Sequence, residues 1–185
     1  FLYMTFGEVP DAIVVDAFNV SMILYAEHSF NASTFTARVI TSTMSDLYSA
    51  VTGAVGALKG PLHGGANEAV MHIFDEIGEA SAVSAWLDKA IAEKRKIMGF
   101  GHRVYRAYDP RAAALREVAE GMGSMADWLD TAVKVEDVVL RVLAELKPGR
   151  IIKTNVEYYA AAVLQGVGLA PELFPATFAL ARHAG

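Results

Sequence analysis

The amino-acid sequence predicts an all-α fold, and three observations support that prediction. Apolar residues recur with the 3.6-residue period of a helix in nearly every segment of the chain. No run alternates apolar and polar residues in the manner of a half-buried strand. Hydrophobic residues make up 54% of the chain and charged residues 20%, a composition typical of packed globular proteins. The length of 185 residues fits one domain, or one domain and part of another.

The first long helix is predicted over residues 12–26, the most apolar stretch of the sequence. Asp16 and Asn19 interrupt this stretch, which is also shorter than the roughly 20 residues that span a membrane. We interpret it as a buried helix and expect no membrane association. Residues 33–58 are rich in Ser, Thr, Ala and Gly. Because small side chains let backbones approach closely, we expect a central helix there.

The middle of the chain contains a clear break in the helical pattern. A helix with Trp86 on its apolar face ends in the basic run 94–96, a charge placement that suits a helix C-terminus. The pattern is then interrupted over residues 99–111. A helix is predicted to restart there, with Asp109 as its N-cap and Pro110 at its first position.

Three further helical segments complete the prediction. An apolar stripe over residues 135–146 stops before a Pro-Gly pair. The next helix is predicted to begin at Thr154 or Asn155 and to end at a glycine. The last segment opens with Pro171 and places two phenylalanines and Arg182 on one face.

Composition limits the possible function classes. The formal net charge of −5 is unsuited to neutralising many phosphates, so we expect no nucleic-acid partner. The absence of cysteine excludes disulfide frameworks and thiolate nucleophiles, and it fits a reducing, cytoplasmic location. His63 and His72 lack the spacing of a metal motif such as H-E-x-x-H, and no metal site is expected.

His63 lies in the stretch "GPLHGGANEAV", just before a predicted helix. Its glycine neighbours let the backbone and a substrate approach closely. The positive potential of the helix start favours a neutral imidazole, which can donate a hydrogen bond to a carbonyl oxygen. The alternative is a histidine that only caps or packs at a tight turn.

His102 lies in the stretch "GFGHRVYRAYDPR", close to several cations of an otherwise acidic protein. These cations are Lys96, Arg103, Arg106 and Arg111. Because arginine pairs well with carboxylates and phosphates, the cluster predicts an anionic ligand. A solvated basic face is the alternative.

Glu157 has a purely structural explanation as well as a chemical one. Residues 154–157 read Thr-Asn-Val-Glu, a capping box in which the glutamate bonds back to the Thr154 backbone. On the chemical side, two histidines, one carboxylate and several arginines fit proton abstraction beside a carbonyl. Hydrolysis through a serine nucleophile fits less well, because no G-x-S-x-G motif is present.

Four motifs together resemble the citrate synthase family, which includes the 2-methylcitrate synthases. They are "ILYAEHSFNASTFTARV", "GPLHGGANEAV", "IMGFGHRVYRAYDPR" and "TNVEYYAAAVL", in this order. Family members are much longer, so the resemblance implies a fragment covering their middle and later part. It also implies a homodimer of large and small helical domains. Residues 1–64 would be large-domain helices, 65–168 the small domain, and 169–185 the return to the large domain.

The resemblance implies a role for each site residue. His63 would hydrogen-bond the acyl-CoA thioester oxygen and stabilise the enol, His102 would polarise the carbonyl of oxaloacetate, and Glu157 would be the base. The implied substrate-binding residues are His28, Arg111 and Arg182, and the implied coenzyme A contacts are Arg106 and Lys153. No cofactor would be permanently bound, and the acyl-CoA would be a co-substrate that binds after oxaloacetate.

Glu157 is also the point where the chain departs from the family pattern. The usual motif is Pro-Asn-x-Asp, whereas this chain has Thr154 and Glu157 at the first and last positions. Glutamate is longer by one methylene, and about 1 Å of misplacement can cost on the order of a hundredfold in rate. We still expect Glu157 to be the base, since a carboxylate at a helix N-terminus is ionised at neutral pH.

The resulting hypothesis is an acyltransferase of the citrate (Si)-synthase type, which converts the acyl group into an alkyl group on transfer. It would condense acetyl-CoA with oxaloacetate and water to citrate and coenzyme A, a step of the tricarboxylic acid cycle. One alternative is a 2-methylcitrate synthase that uses propionyl-CoA. Another is a non-catalytic helical interaction domain, for which a capping box and packed histidines suffice. The fragment alone is expected to be inactive.

Overall fold

The computed structural model describes residues 1–102, 107–123 and 128–184. This part of the chain contains ten α-helices and no named strand, which confirms the all-α prediction. Short 3-10 segments precede the sixth and tenth helices. The helices are α1 Leu2–Phe6, α2 Ala12–Ala26, α3 Ala32–Ser42, α4 Leu47–Lys59, α5 Ala66–Ile77, α6 Val83–Ala92, α7 Pro110–Gly121, α8 Leu129–Leu146, α9 Val156–Gly166 and α10 Phe174–Arg182.

The apolar stretch 12–26 forms helix α2, as predicted, but only one side of it is buried. Val14, Phe18 and Tyr25 lie in the core, whereas Ile23 is 62% exposed. Within the described ranges, no helix is long and apolar enough to cross a membrane.

Residues 33–58 form a helical hairpin, so the prediction of one central helix there is wrong. The chain turns between α3 and α4 at Met44, whose φ of 60° is left-handed. Asp46 then caps α4 by accepting the Ser49 backbone N–H at 2.9 Å. The small residues pack the two helices against each other, since a Cβ added to Gly53 would lie 2.3 Å from Ile40 Cδ1. Most of the hairpin's outer apolar side chains remain exposed.

The central helix is α9. All its residues from 158 to 164 are buried, and it packs against α7, α5 and α2. The run of alanines at 160–162 allows that close packing because each side chain is a single methyl group. Since Glu157 lies in the first turn of α9, the core of the protein fixes the backbone that carries this carboxylate.

The predicted ends of the later helices are largely confirmed. Asp109 caps α7 by accepting the Arg111 backbone N–H at 3.0 Å, and Pro110 occupies the first helical position. The stripe of α8 buries Val135 and two further apolar residues, and the helix ends before the predicted Pro-Gly pair. Asn155, and not Thr154, is the N-cap of α9.

Candidate active site

The residues singled out by the sequence lie at the ends of different elements. His28 follows α2, His63 lies in the turn before α5, and His102 lies in the loop before α7. The other three, Arg111, Glu157 and Arg182, belong to the first turn of α7, the first turn of α9 and the last turn of α10. Loop hydrogen bonds, ring contacts and charges connect these six residues in one region.

Backbone hydrogen bonds join the His102 loop to the start of α9. The Gly101 N–H donates to the Lys153 carbonyl at 2.7 Å, and the Asn155 N–H donates to the Gly99 carbonyl at 2.9 Å. The Asn155 side-chain amide also donates to the Gly101 carbonyl at 2.8 Å. Gly99 has a φ of 87°, and a Cβ there would lie 2.7 Å from the Tyr158 ring, so only glycine fits. These contacts fix His102 relative to Glu157.

The predicted capping box is wrong. The Thr154 hydroxyl donates to the Glu136 carboxylate, and the Glu157 backbone N–H is capped by the Asn155 side chain at 3.0 Å. Glu136 is only 5% exposed, and it also accepts the Tyr159 hydroxyl. The Thr154 hydroxyl thus bonds to Glu136 and the Glu157 carboxylate bonds to Tyr25, so neither makes its capping-box bond.

The Glu157 carboxylate instead points to α2. The Tyr25 hydroxyl donates to Glu157 Oε2 at 2.8 Å. Burial raises the pKa of the Glu157 carboxyl to about 7, and the nearby Asp109 acts in the same direction. The Tyr25 hydrogen bond and the charges of Arg111 and Arg182 oppose that rise. The carboxyl is therefore only partly ionised at neutral pH, and the prediction that it is ionised there is wrong. With this pKa it can accept and release a proton at physiological pH.

His63 is neutral at physiological pH, as predicted, but chiefly for a different reason. Burial lowers the pKa of its imidazole to about 4, with further lowering by Arg182 and His28. The Ser33 backbone N–H donates to His63 Nε2 at 3.3 Å, and the Ser33 hydroxyl lies 2.8 Å from the same atom. Because a backbone N–H can only donate, Nε2 is an acceptor and the ring proton is on Nδ1. His63 therefore has an Nδ1–H donor available for a ligand.

The glycine after His63 serves backbone packing. A Cβ on Gly64 would lie 2.6 Å from the Leu58 carbonyl oxygen, so the turn can lie against the end of α4 only with glycine at this position. The Phe178 ring contacts the imidazole edge-on, with 5.6 Å between the ring centroids. Ser33 and Phe178 thus contact the imidazole on two sides.

The rings of His28 and His102 contact each other edge to face, with 5.4 Å between their centroids. Burial lowers the pKa of both imidazoles, and the charge of Arg111 lowers both further. Asp109 partly opposes these effects. Two neutral imidazoles beside an arginine form a polar surface that can hydrogen-bond an uncharged or anionic oxygen.

The two arginines are held in different ways. Arg111 forms a two-bond ion pair with buried Asp109, with Nε to Oδ1 at 3.1 Å and Nη2 to Oδ2 at 2.9 Å. Arg182 is only 7% exposed; its Nε donates to the Tyr25 carbonyl at 2.7 Å, and its guanidinium lies 4.7 Å from the Phe178 ring centroid. Arg182 Nη1 is buried and has no hydrogen-bond partner among the residues that the structure describes. A buried cationic donor of this kind favours a carboxylate ligand.

The structure says little about the two residues predicted to contact coenzyme A, Lys153 and Arg106. The Lys153 side chain is exposed, and its carbonyl is the group that anchors the His102 loop. Arg106 and Arg103 lie outside the described residues. In the same described part, no group of three or more His, Asp or Glu side chains is arranged to hold a metal ion.

Tyr25, Asn67 and Glu136 were not predicted as site residues. Tyr25 bonds to Glu157, Asn67 bonds to Tyr25, and Glu136 bonds to Thr154. Tyr25 is a polar residue inside the most apolar predicted helix, one turn before His28, and this was the available signal. Asn67 lies four residues after His63 and donates to the Tyr25 hydroxyl at 3.2 Å. Glu136 had no comparable signal, since it lies on a helix that is otherwise structural.

The fold and the geometry of this region define a class: an all-α protein with neutral histidines, arginines and a carboxyl of raised pKa in a candidate acid–base site. The family model described as "Citrate synthase, C-terminal domain" matches residues 1–185. The chain belongs to this family.

Similar proteins carry two related names. The chain is 45% identical over 188 residues to citrate synthase 2 of Bacillus subtilis (strain 168), and 50% identical over 189 residues to 2-methylcitrate synthase of Mycobacterium tuberculosis (strain H37Rv). All of this chain is covered in both comparisons, but only 49% and 46% of those proteins. The chain thus spans about half the length of the curated relatives it matches.

Solved structures agree with the fold. Citrate synthase of Thermotoga maritima MSB8 superposes with a TM-score of 0.89 at 43% identity, covering 99% of this chain and 49% of that one. Citrate synthase of Thermoplasma acidophilum, solved as a ternary complex with carboxymethyl coenzyme A and oxaloacetate, gives 0.90 at 39% identity, covering 100% and 49%.

Proposed function

We propose that these residues form the middle and later part of an acyltransferase of the citrate (Si)-synthase type, which condenses acetyl-CoA with oxaloacetate and water. The observation that carries the proposal is the convergence of three groups around Tyr25 and Phe178. They are the Glu157 carboxyl, the neutral imidazole of His63 and Arg182 Nη1, which has no hydrogen-bond partner within the described ranges. A base, a neutral hydrogen-bond donor and a carboxylate-binding cation are the groups that this condensation needs.

In the proposed mechanism, ionised Glu157 takes a proton from the α-carbon of acetyl-CoA. The Nδ1–H of His63 donates to the thioester oxygen, where the negative charge of the enolate develops. His102 hydrogen-bonds the ketone oxygen of oxaloacetate, and the α-carbon attacks the polarised ketone carbon to form the new C–C bond. The C=O π bond breaks, and the ketone oxygen takes up a proton to become the hydroxyl group of the product. Water then cleaves the C–S bond of the thioester and releases citrate and coenzyme A.

We propose that three residues hold the carboxylates of oxaloacetate: His28, Arg111 and Arg182. Support for Arg111 comes from its orientation, since two bonds to Asp109 fix the guanidinium plane. Support for Arg182 comes from its buried Nη1, which no residue in the described part of the chain hydrogen-bonds. We propose Arg106 and Lys153 as contacts for coenzyme A. The acyl-CoA would be a co-substrate and not a permanently bound cofactor.

We also propose the domain division 1–64, 65–168 and 169–185. In its favour, the candidate site takes residues from all three pieces: His63 from the first, Glu157 from the second and Arg182 from the third. A homodimer is a further proposal, for which the exposed apolar residues of the α3–α4 hairpin, such as Tyr48 at 84% and Met44 at 95%, are the support. The absence of cysteine supports the proposed cytoplasmic location.

Oxaloacetate is expected to raise the melting temperature of the complete protein that contains this chain. A ligand that binds only the folded state adds about 2.7 kcal/mol at 100 times its Kd. The measurement is a thermal melt with oxaloacetate, with succinate as a matched diacid lacking the ketone. The alternative of a non-catalytic interaction domain predicts no shift, and it also predicts no release of free coenzyme A from acetyl-CoA plus oxaloacetate.

The 185 residues alone are expected to show no turnover. The resemblance implies that a C-terminal tail supplies a carboxylate-binding arginine across the dimer and part of the coenzyme pocket. Coenzyme A release should therefore be seen with the complete protein and not with this chain at equal concentration. Turnover by the isolated chain would contradict the proposed incomplete site.

A second candidate function is 2-methylcitrate synthesis from propionyl-CoA, favoured by the 50% identity to the mycobacterial protein of that name. The two functions share the proposed mechanism and differ by one methylene on the acyl group. A methylene is worth only about 1–3 kcal/mol in a pocket. The ratio of kcat/KM for the two thioesters decides between them.

A further inference from the structure

We propose that Tyr25 is a positioning residue for Glu157: its hydroxyl holds Oε2 and directs the other carboxylate oxygen, Oε1, to the substrate. This inference rests on the proposed function, in which Glu157 is the base. Tyr25 has no exposed surface, and its hydroxyl lies between Glu157 Oε2 at 2.8 Å and the Asn67 amide nitrogen at 3.2 Å. Oε1 has no hydrogen bond among the residues that the structure describes.

The direction of the Tyr25–Glu157 hydrogen bond is set by Asn67. Asn67 is fully buried, and its Oδ1 accepts the Glu68 backbone N–H at 2.8 Å. The amide NH₂ group of Asn67 therefore faces Tyr25, and it can only donate. The Tyr25 oxygen accepts from Asn67, and its hydroxyl proton is left for Glu157. The pair acts as a fixed donor aimed at one carboxylate oxygen.

Tyr25 is itself firmly held. Its ring packs on Phe178, with 4.1 Å between the ring centroids, and its backbone carbonyl accepts Arg182 Nε at 2.7 Å. A single residue of α2 thus bonds to the proposed base and to a proposed carboxylate-binding arginine. A shift of Tyr25 would move both groups relative to each other.

The longer side chain of Glu157 explains why such a support is needed. Glutamate has one more rotatable bond than the aspartate of the family pattern, so a larger set of rotamers must be restricted to one reactive geometry. A misplacement of about 1 Å can cost on the order of a hundredfold in rate. The Tyr25 hydroxyl supplies the restriction, because a bond to Oε2 selects the rotamers that reach α2.

The Tyr25 hydrogen bond also affects the charge state of Glu157. It favours the ionised carboxylate and lowers its pKa, against the larger effect of burial. The other charged groups acting on Glu157 are Arg111 and Arg182, which lower the pKa, and Asp109, which raises it. Removing the hydroxyl is therefore expected to move the pKa of Glu157 further above about 7.

The test compares Tyr25→Phe with Tyr159→Phe in the complete protein. Tyr159→Phe is matched, because it removes another buried tyrosine hydroxyl that donates to a carboxylate, Glu136, beside the same helix. For Tyr25→Phe, we expect kcat/KM at neutral pH to fall by about 10- to 100-fold and its acid limb to move to higher pH. Tyr159→Phe is expected to leave the acid limb in place. An unmoved limb in Tyr25→Phe, or an equal shift in both variants, overturns the proposal.

A readout without substrates separates this proposal from the proposed function. Infrared pH-difference spectra contain the band of the protonated Glu157 carboxyl, identified by its loss in Glu157→Gln. The pH at the midpoint of this band should rise in Tyr25→Phe. It should rise by a smaller amount in Asn67→Ala, which keeps the tyrosine and provides a second test if Tyr25→Phe fails to fold. A shifted midpoint in a protein without turnover contradicts only the enzyme function. Turnover with an unshifted midpoint contradicts only the role of Tyr25.

Discussion

Glu157→Gln is expected to lower the kcat of the complete protein by about 10²- to 10⁴-fold, the usual contribution of a general base. Glutamine keeps the length and shape of the side chain and can still accept the Tyr25 hydroxyl. It cannot take a proton from carbon. The loss should therefore appear in the chemical step, with little change in the melting temperature of the protein. Release of coenzyme A from acetyl-CoA plus oxaloacetate measures it.

The matched control for Glu157→Gln is Glu172→Gln, which removes the same charge at an exposed position of the turn before α10. It is expected to leave kcat unchanged. Near-normal turnover in Glu157→Gln would mean that another group is the base. A loss of equal size in both variants would mean that overall charge, and not the carboxylate at the site, controls the rate.

The parent protein should show a matching pH dependence. Burial raises the pKa of Glu157 to about 7 and lowers that of His63 to about 4. The proposed mechanism needs Glu157 ionised and His63 neutral, and both conditions are met only above about pH 7. The kcat/KM of the free enzyme should therefore rise as the pH increases through about 7.

His63→Ala is expected to lower kcat by about 10²- to 10³-fold, the usual effect of losing one donor to a developing oxyanion. The structure predicts which substitutions restore part of that rate. Because Nε2 faces Ser33, the donor toward the ligand is Nδ1, and an asparagine amide can occupy that position. His63→Asn should therefore retain more turnover than His63→Ala. His63→Gln, whose amide replaces Nε2, should not.

The control is His72→Ala on the same stretch of chain. His72 is on α5 with a side chain that is 62% exposed, and its contact with Glu68 is long, at 3.9 Å. Its removal is expected to leave kcat within about twofold, since surface substitutions away from special features have small effects. Equal losses in the His63 and His72 variants would point to a shared folding defect and would contradict a chemical role for His63.

Much of the fold could be predicted from local signals. The caps at Asp109 and Asn155, and the apolar stripe of α8, are encoded within one or two turns of sequence, and the structure confirms them. The hairpin of α3 and α4 was not predicted, because small residues are expected both in one central helix and in two helices that pack closely together. Only the cap at Asp46 distinguishes the two cases.

For the candidate site, local patterns pick out several residues but not Tyr25 and not the contacts between distant positions. Glycine-flanked histidines and an arginine cluster mark His63, His102 and Arg111 in the sequence itself. The partner of Glu157, however, is Tyr25, which is 132 positions away, and the capping box suggested a local partner instead. Thr154 likewise bonds to a residue of another helix, Glu136 of α8. Partners of this kind depend on how α2, α8 and α9 pack, and no local pattern contains that information.

The central claim is that Glu157 removes a proton from the α-carbon of the acyl-CoA. The most direct measurement is deuterium incorporation into acetyl-CoA in D₂O, by mass spectrometry, in the presence of malate. Malate has both carboxylates of oxaloacetate but no ketone to be attacked, so proton removal can be seen without condensation. We predict incorporation with the parent protein and none above background with Glu157→Gln. Equal incorporation by both proteins would contradict the account.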